Sequence, residues 1–169
     1  MCADEIVGKL ACMESNLSFR DVTEGRINDF QNMELQGSVF EIKNLPLYID
    51  AEGGLTINKI ISRVKRLVSI QEVEVIFIDY LGLINHDKEF KTNQEKFSDI
   101  SKKLKQLAMK LQIPIVCICQ LNRQGDHDDP SSSNLRDSGQ IEQDAHTIMM
   151  LVKIEDDYSP PYWALMIKK

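Results

Sequence analysis

The chain has 169 residues, of which 43% are apolar and 27% are charged, and its 20 basic and 26 acidic side chains give a formal charge of −6. This composition is too apolar for a disordered chain and predicts a globular domain with a hydrophobic core. The net negative charge argues against broad, charge-driven binding to nucleic acid, although it leaves room for a local contact loop.

Membrane and secretory segments are not indicated by the sequence. The apolar run Pro114–Cys119, like every other apolar run of the sequence, is far shorter than the roughly 18–20 residues that span a bilayer. The first fifteen residues carry several charges and no apolar segment of the secretory type. We therefore expect a protein of the cytoplasm without a membrane partner.

The four cysteines show no metal-binding spacing and no disulfide framework: Cys2, Cys12, Cys117 and Cys119. We interpret them as reduced core residues. Cys117 and Cys119 alternate within an apolar strand-like run, so both are predicted to point to one face of that strand.

Two short helices are predicted near the start of the chain. Apolar residues recur at helical spacing over residues 3–14 and again over residues 26–36. In the second helix, the spacing predicts that Ile27, Phe30 and Met33 face inward.

A short strand and a longer helix follow. The run Leu45–Asp50 is typical of a strand with a proline at its entry, and Gly53 and Gly54 end it. Thr56 then opens a helix in which apolar residues repeat every three or four positions.

The middle of the chain predicts a strand–helix–strand unit. Val73–Asp79 and Ile113–Gln120 are nearly continuous apolar runs, which is typical of strands that are covered on both faces. Between them, Thr92 and Glu95 have the spacing of a capping box at the start of an amphipathic helix. Two strands joined by a crossover helix form a right-handed unit with parallel strands.

The last third contains a polar loop and two further strands. The loop runs from Leu121 to Gln140, and the strands are predicted at His146–Val152 and Tyr162–Ile167 around a turn at Ser159–Pro161. No internal repeat or linker interrupts the chain. Residues 1–169 are therefore predicted to form one α/β domain.

Polar side chains end both strands of the parallel unit. Asp79 follows the first strand and Gln120 the second, and ligands of open α/β sheets bind beyond the carboxyl ends of the strands. A carboxylate there suits a hydrated Mg²⁺, and a carboxamide can contact a phosphate oxygen or orient a water. Asp is also a common turn residue at strand ends, so a purely structural role stays open.

The segment Leu135–Gly139 is the second candidate site. Gly139 permits backbone conformations that are closed to other residues, and free amides near it could cradle a phosphate. Arg136 could add a charge-assisted contact. Residues 122–144 carry two basic and six acidic side chains, so any contact with DNA is expected to depend on local geometry rather than on net attraction.

The remaining polar and aromatic residues are interpreted as structural. The lysines after residue 100 are expected to form a solvated helix face, Trp163 to lie in the core, and the three histidines to be ordinary loop or strand residues. These residues are Lys102, Lys103, Lys105, Lys110, His86, His127 and His146.

These segments, in this order, resemble the C-terminal ATPase domain of the bacterial replicative DNA helicase (DnaB) family. Val75–Leu81 is similar to the family's Walker B segment, and Gln120–Arg123 to the segment with its γ-phosphate-sensing glutamine. The string Leu135–Ala145 is the most specific match. Met1–Glu5 and Pro46–Asp50 also fit, so the resemblance covers essentially the whole chain.

The resemblance implies a RecA-like α/β fold, with a mostly parallel sheet flanked by helices, from which the phosphate-loop strand is missing. It implies that Asp79 holds Mg²⁺ through water and that Gln120 acts catalytically by sensing the γ-phosphate of ATP. Lys168 matches a lysine near the family's arginine finger and would contact the nucleotide.

The resemblance also implies the DNA contacts and partners. Arg136, Asp137 and Gly139 would lie on a loop that faces the channel of a homo-hexameric ring and touches single-stranded DNA. Sequence-independent contacts of this kind suit a helicase. A helicase loader and a primase are further implied partners.

Several parts of such a motor are absent from the sequence. No G-x-x-x-x-G-K-[ST] phosphate loop occurs. In the resemblance, the catalytic glutamate would precede Met1 and the arginine finger would follow Lys169. We therefore expect a domain truncated at both ends, which alone hydrolyses ATP negligibly.

Two alternatives are kept beside this interpretation. The first is a degenerate, non-enzymatic RecA-like subunit that serves an interaction, for which loss of the Asp79 carboxylate would have no effect on unwinding. The second is another RecA-like ATPase, such as a recombinase or a clock-type protein, which should lack the string Leu135–Ala145.

Overall fold

The computed structural model describes residues 2–120, 139–156 and 159–168. The chain divides into two compact units, Met1–Gly53 and Gly54–Lys169, which are described separately below. The assignment of residues 1–169 to one domain stays a prediction. None of the helices in the described ranges is long and apolar enough to cross a membrane.

The first unit consists of three helices: α1 (Ala3–Glu14), α2 (Phe19–Thr23) and α3 (Asp29–Lys43). The predicted helix over residues 3–14 is confirmed, whereas α2 was not predicted. Asn28 begins α3 with a reciprocal cap, in which its side chain accepts from the Gln31 amide and its own amide donates to the Gln31 side chain.

The second predicted helix was wrong in its bounds and in its buried face. The cap at Asn28 moves its start to Asp29, and the helix continues to Lys43 because no proline interrupts it before Pro46. Phe30 and Met33, expected to face inward, are 69% and 71% exposed. The buried residues of α3 lie in its second half, at Ser38 and Ile42.

The strand predicted at Leu45–Asp50 was also wrong, because this segment forms no strand in the described part of the chain. Leu45, Leu47 and Tyr48 are exposed, and Pro46 has no amide proton to donate to a partner strand.

The second unit contains helices and two small sheets. Its elements are α4 (Ile57–Ile70), β1 (Ile76–Ile78), a 3₁₀ turn (Leu81–Leu83), α5 (Asn93–Leu111), β2 (Ile115–Cys117), α6 (Gly139–Asp144), β3 (Met149–Asp156) and β4 (Ser159–Ile167).

Threonine caps begin both long helices of this unit, as the sequence predicts. The Thr56 hydroxyl accepts from the Lys59 amide, and the Thr92 hydroxyl accepts from the Glu95 amide at 3.2 Å. The Glu95 carboxylate, however, accepts from the amide of Lys91 rather than of Thr92. Of the two hydrogen bonds of the predicted capping box at α5, the one to the Thr92 hydroxyl forms as expected, and the one to the Glu95 carboxylate comes from the preceding residue, Lys91.

The parallel arrangement of the strand–helix–strand unit is confirmed. β1 pairs with β2 in the register Ile76 with Ile115 and Ile78 with Cys117. β3 and β4 pair antiparallel and form a separate two-stranded sheet in the described residues. The expectation of a mostly parallel sheet therefore holds for β1 and β2 only. The turn predicted at Ser159–Pro161 was wrong, since these residues belong to β4.

The core of the second unit lies between the β1–β2 pair and the helices α4 and α5. Its buried residues are Ile57, Leu81, Ile84, Ile100 and Leu104. Ile78 of β1 and Cys117 of β2 pack against this cluster from the sheet.

The expectation that β1 and β2 are covered on both faces was wrong for the described residues. Phe77 points away from the core and is 72% exposed, and its neighbours Val75 and Ile118 are exposed as well. Trp163, expected in the core, is 64% exposed on β4. Side chains alternate across a strand, so β1 and β4 each present an apolar face that is exposed, with Phe77 on the first and Trp163 on the second.

Candidate functional site

The carboxyl ends of β1 and β2 form one edge, at which Asp79 and Gln120 both lie. Beyond the paired residues, the Ile118 amide donates to the Ile78 carbonyl at 3.0 Å, and the Leu81 amide donates to the Ile118 carbonyl at 2.9 Å. Asp79 is thus held between two bonds to the second strand. Gln120 lies two residues beyond Ile118, so the two polar residues share the sheet edge where ligands of α/β folds bind.

The segment after Asp79 is anchored by buried residues. Leu81 and Ile84 are 5% and 3% exposed and belong to the core cluster. The intervening 3₁₀ turn is closed by a bond from the Ile84 amide to the Leu81 carbonyl. The backbone on both sides of Asp79 is therefore fixed while its side chain faces solvent.

The side chains of Asp79 and Gln120 are exposed and have no hydrogen bond or ion pair with other described residues. An exposed carboxylate without a protein partner is solvated by water, so leaving it unpaired costs little free energy. It can accept hydrogen bonds from the water molecules that surround a bound cation. The described residues contain no group of three or more possible metal ligands. The donor set thus fits a cation such as Mg²⁺ that keeps most of its waters, and does not fit a fully protein-enclosed ion.

Lys168 lies directly after the last strand of the other sheet of the unit. It follows β4, its amide donates to the Ile148 carbonyl at 2.9 Å, and its side chain is exposed. No hydrogen bond or ion pair joins it to Asp79 or Gln120 in the described ranges. The structure thus places Asp79 and Gln120 after the carboxyl ends of the paired strands β1 and β2, and Lys168 after β4 of the other sheet.

The second candidate site is described only in part. Arg136 and Asp137 lie outside the described residues. Gly139 is the first residue of α6. Ile141 packs against the core cluster, which attaches α6 to the body of the unit.

The end of α6 is held by α5. The Lys105 ammonium donates to the Asp144 carbonyl at 2.7 Å, and the Gln140 side chain donates to one Asp144 carboxylate oxygen at 3.0 Å. The other carboxylate oxygen is buried without a partner in the described structure. Lys105, expected on a solvated helix face, thus positions the helix that begins at Gly139.

A polar cluster around His86 was not anticipated from the sequence. His86 Nε2 lies 2.7 Å from the Asp99 carboxylate, and the Lys103 ammonium lies 2.8 Å from the same oxygen. The Lys88 amide donates to His86 Nδ1 at 2.9 Å. The His86 side chain is only 2% exposed. The spacing of Asp99 and Lys103 on one helix could have indicated their pairing, but nothing local indicates that His86 joins them.

Burial acts to raise the pKa of Asp99, but the hydrogen bonds from Lys103 and His86 outweigh it and hold that pKa below its usual 3.8. The carboxylate is therefore favoured by its two donors. Its role is to fasten the loop that follows the 3₁₀ turn onto α5.

An open pocket of about 210 Å³ lies beside the start of α5. Its lining is polar and includes two lysines: Asn85, His86, Lys88, Phe90, Thr92, Asn93 and Lys96. Neither Asp79 nor Gln120 contributes to it, so this pocket is distinct from the sheet edge described above.

Residues 1–165 match the family described as the DnaB-like helicase C-terminal domain. The chain is 36% identical over 154 residues to the replicative DNA helicase DnaB of Mycobacterium leprae, covering 89% of this chain and 26% of that protein. It is 33% identical over 162 residues to the replicative DNA helicase DnaC of Bacillus subtilis, covering 94% of this chain and 35% of that protein.

This chain is also similar to a solved structure of the same family. That structure shows a DnaB-like replicative helicase and its interactions with primase, and it matches this chain with a TM-score of 0.84 and 28% sequence identity. The match covers 94% of this chain and 40% of the solved one. Against the Mycobacterium leprae and Bacillus subtilis helicases, the chain spans about a quarter to a third of the relative's length.

Proposed function

This chain belongs to the family of DnaB-like helicase C-terminal domains, and from that membership we propose that it supplies part of the ATP-driven motor of a replicative DNA helicase. The motor would act as a hexameric ring that moves along single-stranded DNA and separates the duplex. The observation that carries the proposal is the shared edge of β1 and β2, where Asp79 and Gln120 are both exposed and without partners among the described residues.

In this proposal, Asp79 and Gln120 face the nucleotide. Asp79 would hold Mg²⁺ through its water shell, and Mg²⁺ would supply charge neutralisation on the phosphates when bound. Gln120 would contact the γ-phosphate and, through β2, transmit its presence to the body of the unit. Lys168 would contact the nucleotide from the end of β4.

The DNA contacts are assigned to the segment around α6. Arg136, Asp137 and Gly139 would meet the phosphate backbone of single-stranded DNA through short-range contacts, because the acidic surroundings provide no general attraction. The bond from Lys105 to the Asp144 carbonyl supports this assignment, since it fastens the far end of α6 to the helix that follows the Asp79 loop.

Partners are proposed from the same membership. A primase is one candidate, because the similar solved structure is that of a DnaB-like replicative helicase and its interactions with primase. A helicase loader and further copies of the same subunit are the others. The chain carries no phosphate-loop sequence, so we propose that on its own it hydrolyses ATP negligibly.

The test is a chimera in which residues 1–165 replace the matching segment of the Bacillus subtilis helicase. We expect the chimera to unwind DNA, and Asp79→Ala or Gln120→Ala in it to lower ATP hydrolysis at least about 100-fold, the scale of losing a transition-state contact. Matched controls are Glu72→Ala and Gln106→Ala, exposed side chains of the same types at other positions. We expect the controls to leave hydrolysis unchanged.

Two results would contradict the proposal. Equal loss in Asp79→Ala and Glu72→Ala would show that the edge has no special role. Normal unwinding in the Asp79→Ala chimera would favour a non-enzymatic interaction subunit instead.

A further inference from the structure

Two cysteines lie on one face of the strand that leads to Gln120. Cys117 is the last residue of β2, and the bonds of Ile118 to Ile78 and Leu81 keep the chain paired for one more residue. Cys119 therefore lies on the same face as Cys117. Both side chains are half-buried and pack against the core cluster.

The two thiols are free and pack against the same core cluster, and the Cys117 thiol donates to the Ile118 carbonyl at 3.9 Å. The hydrogen bond with Cys119 is the largest cause that raises the pKa of Cys117, with burial second, whereas the same bond lowers the pKa of Cys119 against the opposing effect of burial. Cys119 is therefore the more readily ionised of the two thiols.

We propose that Cys117 and Cys119 form a dithiol site that binds one trivalent arsenical across both sulfurs. An organic arsenoxide, R–As=O, would react with the two S–H groups to form two As–S bonds. Its oxygen would leave as one water that takes both thiol protons. Arsenic stays trivalent and no oxidant is needed.

Strand geometry favours such a bridge over a disulfide. Same-face neighbours on a strand are two rises apart, about 6.6 Å, whereas the Cβ atoms of a disulfide lie about 3.8 Å apart. A direct S–S bond would therefore require the backbone to move, while an inserted arsenic atom lengthens the bridge.

A tetrahedral metal ion fits the pair less well. Zinc in structural sites takes four protein ligands, and no group of three or more possible ligands exists among the described residues. A ligand atom that needs only two sulfur ligands from the protein, such as the arsenic of an organic arsenoxide, therefore fits this pair better than zinc does. Binding requires only the thiols and does not depend on the proposed helicase function.

The test uses the full chain with Cys2→Ser and Cys12→Ser, which leaves only the pair, and phenylarsine oxide as the probe. Intact-mass measurement should show one phenylarsenic group gained. Because the second As–S bond forms within one molecule, we expect the adduct to resist excess glutathione about 100-fold better than in Cys117→Ser or Cys119→Ser variants. A small dithiol should remove it.

A matched control moves one thiol to the other face, by Ile118→Cys together with Cys119→Ser. This variant keeps two thiols but places them on opposite sides of the strand, and we expect it to lose the resistance to glutathione. If it retains the adduct as well as the parent does, or if a mild thiol oxidant converts the pair to a disulfide more readily than the arsenical binds, the proposal is overturned.

A second measurement covers the case in which replacing the buried Cys12 prevents folding. The wild-type chain is treated with the same probe and digested under conditions that preserve As–S bonds. Arsenic on the peptide that contains Cys117 and Cys119 supports the site, whereas arsenic only on the peptides of Cys2 or Cys12 overturns it.

Discussion

The ring of Tyr80 lies directly against the backbone of Gly82. A Cβ atom added at Gly82 would come within 2.6 Å of Tyr80 Cε2, which is closer than real Cβ contacts. The contact belongs to the turn that immediately follows Asp79, where the peptide bond between Asp79 and Tyr80 is cis. Gly82 is therefore required here for space, not for an unusual backbone angle.

Replacing Gly82 by alanine should destabilise the second unit. The new methyl group must push the ring of Tyr80 aside, and overpacking of this kind costs about 1–3 kcal/mol. Urea unfolding of the two chains, followed by circular dichroism, measures the difference in unfolding free energy.

A second substitution, Tyr80→Ala, measures how much of the cost of Gly82→Ala comes from the contact with the Tyr80 ring. With Tyr80→Ala in place, Gly82→Ala meets no ring and should cost less than half of its effect in the parent chain. Gly37→Ala is the positional control, since nothing lies within 4 Å of a Cβ at that helical glycine, and it should stabilise by about 0.5–1 kcal/mol. An equal cost of Gly82→Ala with and without Tyr80 would contradict the contact.

Thr92→Ala should weaken the start of α5. The hydroxyl of Thr92 accepts from the Glu95 amide, and loss of an N-cap of this kind costs about 0.5–2 kcal/mol. Thermal unfolding measures the effect. Thr92→Ser, which keeps the hydroxyl, is the control and should remain within a few tenths of a kcal/mol, about the spread between Ser and Thr as caps; equal losses in both variants would argue against the cap.

Stability should depend on the Asp99 carboxylate in a defined direction of pH. Its pKa lies below 3.8 in the folded chain, so its contribution is present above the unfolded value and is lost as the pH falls through the folded value. Because the side chain is 39% exposed, we expect Asp99→Asn to cost about 1 kcal/mol or less near neutral pH. The difference should shrink as the pH falls below the usual 3.8.

Urea unfolding at a series of pH values tests this dependence. Glu72→Gln removes an exposed carboxylate without an ion pair in the described residues and serves as the control, which should show no such convergence. A difference between Asp99→Asn and the parent that stays constant from neutral to acidic pH would refute the assignment.

Sequence patterns predicted the elements whose signals are local. The caps at Thr56 and Thr92 and the helical spacing behind them predicted α4 and α5, and two apolar runs predicted the parallel pair β1 and β2. The shared edge of Asp79 and Gln120 followed from topology, since the strands of a strand–helix–strand unit end on the same side.

What the patterns missed depends on tertiary contacts. Phe30 and Met33 do have helical spacing, but spacing alone does not decide which face of α3 is buried. That face is set by packing against a neighbouring helix, and the buried residues of α3 are Ser38 and Ile42. The His86–Asp99 contact joins residues 13 positions apart, and no periodicity encodes such a pair.

The hydrogen bonds of His86 predict one tautomer of its ring and a separable role for each nitrogen. Nδ1 accepts from the Lys88 amide, so in the neutral ring the proton lies on Nε2 and is donated to Asp99. The Lys103 ammonium also lies 2.9 Å from Nε2, but a protonated nitrogen cannot accept from it, so Lys103 donates to the Asp99 carboxylate instead. His86→Phe preserves an aromatic ring beside Phe90, with which His86 makes an edge contact at 4.6 Å between centroids, but loses both hydrogen bonds. We expect it to cost about 1–3 kcal/mol, the sum of two ordinary hydrogen bonds.

Two further variants separate the nitrogens, because an asparagine amide approximates the position of Nδ1 and a glutamine amide that of Nε2. Hydrogen exchange of the Lys88 amide is the measurement. We expect its protection to persist in His86→Asn and to fall in His86→Gln and His86→Phe, because only the first keeps an acceptor for that amide. Equal protection of the Lys88 amide in all three variants would show that Nδ1 is not its partner, and the tautomer assignment would fail with it.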